Sequence, residues 1–284
     1  MTRLVLCADD FALSDGVSRA IVALADAGRI SATGAMTNRP HWRLWSREIA
    51  ALAGRIDIGV HLNLPLGEPL APMPLLCPSG SFPALGVVMR AALLSGEVRA
   101  EIGAETARQI DAFEQAMGRR PDFLDGHQHV HAMPGVRRPV IRELVSRSAR
   151  KRAADDHAWP HMPYVRDPSD AIAAIRARGV AVRKALLISG LAAGFGAAVR
   201  AAGLATNHGF SGVSSFDPAR DFAADMRRFG MMPGERHLVM CHPGHVDDTL
   251  RQLDPVVESR ETEFAVLSEG RWSEGYQLVR FADL

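Results

Sequence analysis

Four short apolar runs in this chain end abruptly in acids and histidines. They are RLVLCADD at the start, IDIGVHLN near residue 60, PDFLDGHQHVH in mid-chain and LVMCHPGH near the end. Such runs suit strands buried on both faces, and longer segments of helical period separate them. The pattern predicts βα units and a parallel sheet. Ligands bind such sheets outside the carboxyl ends of the strands, so polar clusters placed there would converge on one pocket. The expected fold class is therefore α/β, with residues 1–284 forming a single irregular (β/α) barrel. It would be TIM-barrel-like, with fewer than eight strands allowed. An open doubly wound sheet is the alternative.

RLVLCA reads as the first strand, and Ser14 can cap the helix behind it, whose apolar face includes Val17, Ile21 and Leu24. ISATGAM, RIDIGVHL, PDFLDGHQ, ATNHGFSGVSSF and RHLVMCHPG read as later strands, and HMPYVR is a further candidate. Helices are expected over 87–117, 136–152, 217–229 and 255–268, with one or two more within 171–203. Residues 63–86 are dense in Pro and Gly and read as an irregular excursion.

With 284 residues, 47% of them hydrophobic, the chain can bury a large core. Its 33 basic and 32 acidic residues nearly cancel, so overall charge gives no reason to expect nucleic acid or an anionic membrane as partner. Cys7, Cys77 and Cys241 are few and far apart, which argues against a disulfide framework and for a reducing compartment. The N-terminus lacks the pattern of a secretory signal, and no segment is expected to supply the roughly 20 apolar residues of a bilayer span. These features predict a cytoplasmic protein. A homodimer is one expected assembly, although nothing in the spacing fixes it.

Alternate residues of an extended segment share a face. Asp125, His127, His129 and His131 would therefore project together, as would His61 and Asn63. Imidazole and carboxylate together suit zinc and related divalent ions, and a catalytic zinc typically keeps three protein ligands. Asp10, His61 and one histidine of HQHVH could supply them. Asp9 could take a proton from water beside the ion if the chain turns after the strand. His242 or His245 could donate a proton to a leaving group. Arg166 follows a candidate strand and could orient a substrate oxygen. Trp159 could stack on a sugar ring, whereas His157 and His161 read as surface loop residues. Trp42 and Trp45 read as helix packing. Cys7 and Cys241 read as buried small hydrophobes, close together if the first and last strands are neighbours.

In order along the chain, ADDFALSDGV, IGVHLN, PDFLDGHQHVH and CHPG resemble the YdjC family of carbohydrate deacetylases. The resemblance spans roughly residues 3–265. It implies an irregular (β/α) barrel and one divalent metal, zinc or magnesium, held by Asp10, His61 and His127. It makes Asp9 the general base and His242 the general acid. It implies hydrolysis of the N-acetyl group of an amino sugar or oligosaccharide. Asn63, Asp125, His129, His131 and Arg166 would then support the ligands or bind sugar. Two positions depart from the family pattern: Ala12 stands where ADDFG has glycine, and Gln128 stands where the family often has histidine. A metal-dependent phosphoesterase and a non-catalytic sugar- or metal-binding protein are the competing readings.

Overall fold

A computed structural model of the protein describes residues 1–152, 163–270, 272 and 274–284. Trp159, His157 and His161 lie outside the described residues. The chain begins with β1 (Thr2–Phe11), α1 (Asp15–Asp26), β2 (Ala32–Ala35), α2 (Trp42–Ala50) and β3 (Asp57–Leu62). After the Pro-rich excursion come α3 (Leu85–Leu94), α4 (Gly96–Met117), β4 (Phe123–Gly126), α5 (Arg137–Arg152) and β5 (Tyr164–Val165). Three short helices follow: α6 (Ile172–Arg178), α7 (Val182–Leu191) and α8 (Phe195–Ala201). The last elements are β6 (Phe210–Ser211), α9 (Phe222–Phe229), β7 (Leu238–Cys241), α10 (Asp248–Leu253), α11 (Glu258–Glu269) and β8 (Tyr276–Leu278).

The strand order β5-β4-β3-β2-β1-β7-β6 decides between the two expected architectures. Read around a ring, the strands run consecutively from β1 to β7 and back to β1, every pair being parallel. A doubly wound sheet would instead reverse direction at a switch point. Between β5 and β6 the ring is joined by a single bridge from Val165 to Thr206. β8 is not an eighth stave; it pairs with the first residues of β1, below the β1–β7 ladder. The result is a curled parallel sheet with fewer than eight closed strands, surrounded by helices.

Strand alternation sorts the residues. Leu4, Leu6 and Ala8 face the outer helices, while Val5 and Cys7 join Phe123, Tyr164, Phe210, Leu238 and Met240 in the barrel interior. Phe281 plugs the interior by stacking on Tyr164 at 3.9 Å. Cys7 and Cys241 lie on neighbouring strands, with the Cys241 Sγ 3.5 Å from the Cys7 carbonyl. Trp42 stacks on Phe113, as packing required. Ser14 caps α1 by accepting from the Val17 amide.

The helical segments expected over 87–117 are α3 and α4, which part at Ser95, where α3 ends and α4 is capped. The stretch Val182–Ala201 is, by length and composition alone, apolar enough to cross a bilayer, which corrects the expectation that no such segment exists. It is not one unbroken helix, since α7 stops at Leu191 and Gly194 has a φ of 77°.

His237, which precedes β7, is fully buried. Its Nδ1 accepts from the Gly234 amide at 3.3 Å, and its Nε2 donates to the Phe229 carbonyl at 3.2 Å. That pairing suits the neutral ring, and burial lowers the pKa to about 4. A histidine depressed when folded contributes stability above its unfolded pKa near 6.5, and loses it as pH falls towards 4. His237 alone should cost about 3 kcal/mol of stability across that interval. Its imidazole proton resonances should stay unshifted down to about pH 5; a midpoint near 6.5 would refute the assignment.

Candidate active site

Asp9 continues the inward face of Val5 and Cys7. A regular strand would send Asp10 the other way. Instead Asp10 has a φ of 68° and Ala12 a φ of 70°, and the β1–β2 register shifts between Ala8 and Phe11. This bulged turn aims adjacent carboxylates into one mouth. Ala12 therefore adopts the left-handed backbone that the family's glycine would take freely. The next side chain up is not tolerated there: Ala12→Val should destabilise by about 2 kcal/mol or more, whereas Ala12→Gly should move stability by less than about 1 kcal/mol in urea unfolding.

The HQHVH run is not extended. β4 stops at Gly126, and Gln128 and His129 have φ of 52° and 58° within a short helical turn over His127–Ala132. The expectation that Asp125, His127, His129 and His131 share one strand face is thereby corrected. The turn separates them, and each imidazole meets different neighbours.

His127 Nδ1 lies 2.9 Å from Asp10 Oδ1, and His61 Nε2 lies 3.2 Å from the same oxygen. The ligating atoms of Asp10, His61 and His127 all fall within 4.8 Å of one another. His61 donates from Nδ1 to Asp125 Oδ1 at 2.7 Å, so in the neutral ring, the form that binds a cation, Nε2 is the lone-pair nitrogen towards the cluster. One carboxylate and two oriented imidazoles, all buried, are a donor set that fits a divalent cation. His127 keeps more exposure than the other two, so the cluster opens on its side.

Two buried cations offset the charge of this cluster; the sequence marks Arg166 but not its task, and does not mark Arg260. Arg260, on α11, is buried and donates to Asp10 Oδ2 at 2.7 Å and to Asp254 at 3.2 Å. Arg166 donates to both oxygens of Asp9, at 2.7 and 2.6 Å, to Cys7 Sγ at 2.9 Å, and also pairs with Asp125. Fully enclosed, Arg166 grips the two carboxylates rather than facing an opening. Burial pushes the Asp10 pKa up, but His127 and Arg260 outweigh it and hold the acid well below the usual range. For Asp125, burial is likewise outweighed by Arg166 and His61. For Asp9, burial wins over Arg166 and raises the pKa. Burial would lower His61, but Asp125 and Asp9 raise it to about 10.

The remaining expected residues are placed as follows. His131 donates from Nε2 to the Arg166 carbonyl at 2.7 Å, and burial lowers its pKa to about 4. His129 is buried with its ring edge-on to Phe210, and its Nδ1 has no partner. His242 is edge-on to Phe216 at 5.0 Å; burial drives its pKa well down, and its Nδ1 is also unpartnered. Its backbone amide donates to Glu263 at 2.6 Å, and burial raises the Glu263 pKa to about 7. His245 sits against Phe264, away from this cluster. Asn63 is fully buried and shapes the loop after β3, donating to the Leu66 carbonyl at 2.7 Å and accepting from its amide at 3.1 Å.

Against this geometry, comparison with known proteins gives one family over residues 3–277, the YdjC-like proteins. The chain belongs to the YdjC family. A relative named carbohydrate deacetylase, from Halalkalibacterium halodurans, is 27% identical over 98% of this chain and 100% of its own length. A chitooligosaccharide deacetylase from Escherichia fergusonii is 28% identical over 99% of this chain and 98% of its own. A solved structure from Enterococcus faecalis V583, named for cellobiose-phosphate cleavage, superposes with a TM-score of 0.70. It is 19% identical and covers 99% of this chain and 98% of that one, so it speaks for the fold.

Gly34 of β2 lies directly under the YdjC-family cluster. A Cβ there would stand 2.9 Å from Asp125 Oδ1 and 3.0 Å from His61 Nδ1. Gly34→Ala should wedge that pair apart and lower affinity for added zinc by about 10- to 100-fold, as disturbing an outer partner of a ligand does. Isothermal titration reads the change; unaltered affinity would show that the His61–Asp125 contact does not orient the ring.

Proposed function

We propose that this protein is a metal-dependent hydrolase that removes the N-acetyl group from an N-acetylated amino sugar or oligosaccharide. The observation that carries the reading is the meeting of Asp10, His61 and His127, with Asp9 beside them at the mouth of the barrel. The names of the full-length relatives supply the substrate class. Three free, buried cysteines support a cytoplasmic site of action.

Asp10, His61 and His127 would hold the ion, of the zinc or magnesium kind. When bound, it would supply Lewis acidity and make a coordinated water easier to deprotonate. Asp125 fixes the His61 tautomer. Asp9 takes the proton of the attacking water; Arg166 fixes its plane, yet each oxygen keeps a lone pair to accept with. His242 gives a proton to the departing amine. Its half-buried ring is neutral at rest, so the proton it gives would be the one first taken from the attacking water, passed on so that the ring ends the cycle neutral again. Glu263 holds the His242 backbone, and His131 holds that of Arg166. His129, whose buried Nδ1 has no partner, would be the histidine to meet the sugar or its acetyl group.

The phosphoesterase reading calls for further metal ions. A second group of possible ligands does exist, formed by Cys7, Asp9 and Asp125. Arg166 already lies among all three, so a guanidinium takes the place a second cation would need. This favours amide hydrolysis at one ion. A binding protein with no chemistry is separated by Asp9→Asn. The variant should retain its zinc, by elemental analysis, and lose about 100- to 10,000-fold in acetate release from N-acetylated sugars. Full activity in that variant would sink the proposed base, and loss of zinc would mean that the two acids exchange roles.

A further inference from the structure

Overall charge balance hides a local imbalance. Between Asp170 and Asp217 the chain has no acidic residue, but it carries Arg176, Arg178, Arg183, Lys184 and Arg200. Of these, Arg178 is buried and paired with Asp170, while the others are exposed. Helix α7 lies in the middle of this stretch and has little of its own to stabilise it. None of its residues is fully buried, no side chain caps it, and its first turn holds Arg183 and Lys184 where the helix dipole disfavours cations. Yet Leu187 is 64% exposed on it, and Ile172 of the adjoining α6 is 57% exposed.

This apolar face continues across the barrel mouth. Arg137, the first residue of α5, donates to the carbonyls of Leu191 and Ala193 at 2.7 and 2.9 Å, which ties the end of α7 to the helix that follows the histidine run and its loop. The end of α3 packs against the same loop, where a Cβ on Gly135 would lie 2.9 Å from Ala92. There Leu93 and Leu94 are 56% and 81% exposed. At its other end α7 reaches the active-site wall, since Lys184 lies 3.8 Å from the centre of Phe216, the ring that meets His242. Exposed leucines thus flank the site opening, with exposed Arg90, Arg138 and Arg183 among them, while the Lys184 ammonium is taken up by the Ser214 carbonyl and the Phe216 ring. Glu97, hydrogen-bonded to Ser95, is an acid on the α3 side.

We propose that this face docks on an anionic phospholipid surface and turns the site mouth towards it. Exposed leucines with basic residues beside them fit the boundary between acyl chains and anionic headgroups. A second copy of the chain fits less well, because a two-fold contact through α7 would set Arg183 and Lys184 against like charges. The inference does not depend on which reaction the site performs.

Flotation of the full-length protein with phosphatidylcholine vesicles, with and without phosphatidylglycerol, tests it. Binding is expected only with phosphatidylglycerol present, and is expected to weaken as salt is raised. Arg183→Ala should weaken it about fivefold. The double variant Leu187→Gln, Leu94→Gln should weaken it about tenfold or more. These side chains are exposed, so thermal unfolding should be unchanged, which a melt verifies. Three results would overturn the proposal. One is equal flotation with both vesicle types or with neither. Another is anionic binding indifferent to the leucine changes, which would be charge attraction alone. The third is a dimer in sedimentation velocity that Leu187→Gln dissolves, which would assign the face to a second copy.

Discussion

Three carboxylates sit out of water within one barrel mouth, and the rest of the site follows from how their charge is met. Buried charge is tolerated only when paired and hydrogen-bonded. Arg166 arrives from the end of β5 and Arg260 from α11, so elements far apart in sequence are tied to β1 by electrostatics as well as by packing. Stripping one partner from such a pair typically costs about 3–5 kcal/mol, mostly through the charge left behind. These ion pairs fix the directions of the carboxylates they hold, as a site that binds a ligand requires.

Backbone strain works with these ion pairs. Left-handed residues at Asp10 and Ala12, and again at Gln128 and His129, bend the ends of β1 and β4 towards each other. Each such residue costs of order 1–3 kcal/mol and persists only where its surroundings enforce it. Arg260 on Asp10, and His127 across from it, are those surroundings. The cost is concentrated on the two segments that supply Asp10 and His127.

What could be read in advance followed from periodicity. Each apolar run ending in an acid or histidine marked a strand and its functional end, because alternation and the ligand-site rule act over a few residues. Arg166 could be singled out but not its task, since its partners Asp9 and Asp125 come from other strands. Arg260 and Glu263 escaped notice because α11 was read as an ordinary helix. A signal is there: Arg260, Glu263 and Leu267 follow helical spacing with a leucine, yet of the four buried positions of α11, Ser259 included, two are charged. The histidine run was misjudged in shape for a different reason. Alternation holds only while a strand lasts, and β4 ends one residue before His127. A whole-chain charge sum likewise cannot show the acid-free stretch between Asp170 and Asp217.

The two arginines also explain why neighbouring aspartates would behave differently. Arg260 takes one oxygen of Asp10 and leaves the other facing two imidazoles, which is the posture of a ligand. Arg166 spans both oxygens of Asp9, which fixes its orientation while burial still raises its affinity for a proton. Reversing the roles would require Asp10 to surrender its imidazole contacts and Asp9 to break a bidentate pair. The proposed division of labour between chemically identical side chains would thus be set by which guanidinium each one meets, and that is a property of the curled sheet and its helices rather than of the DD dipeptide.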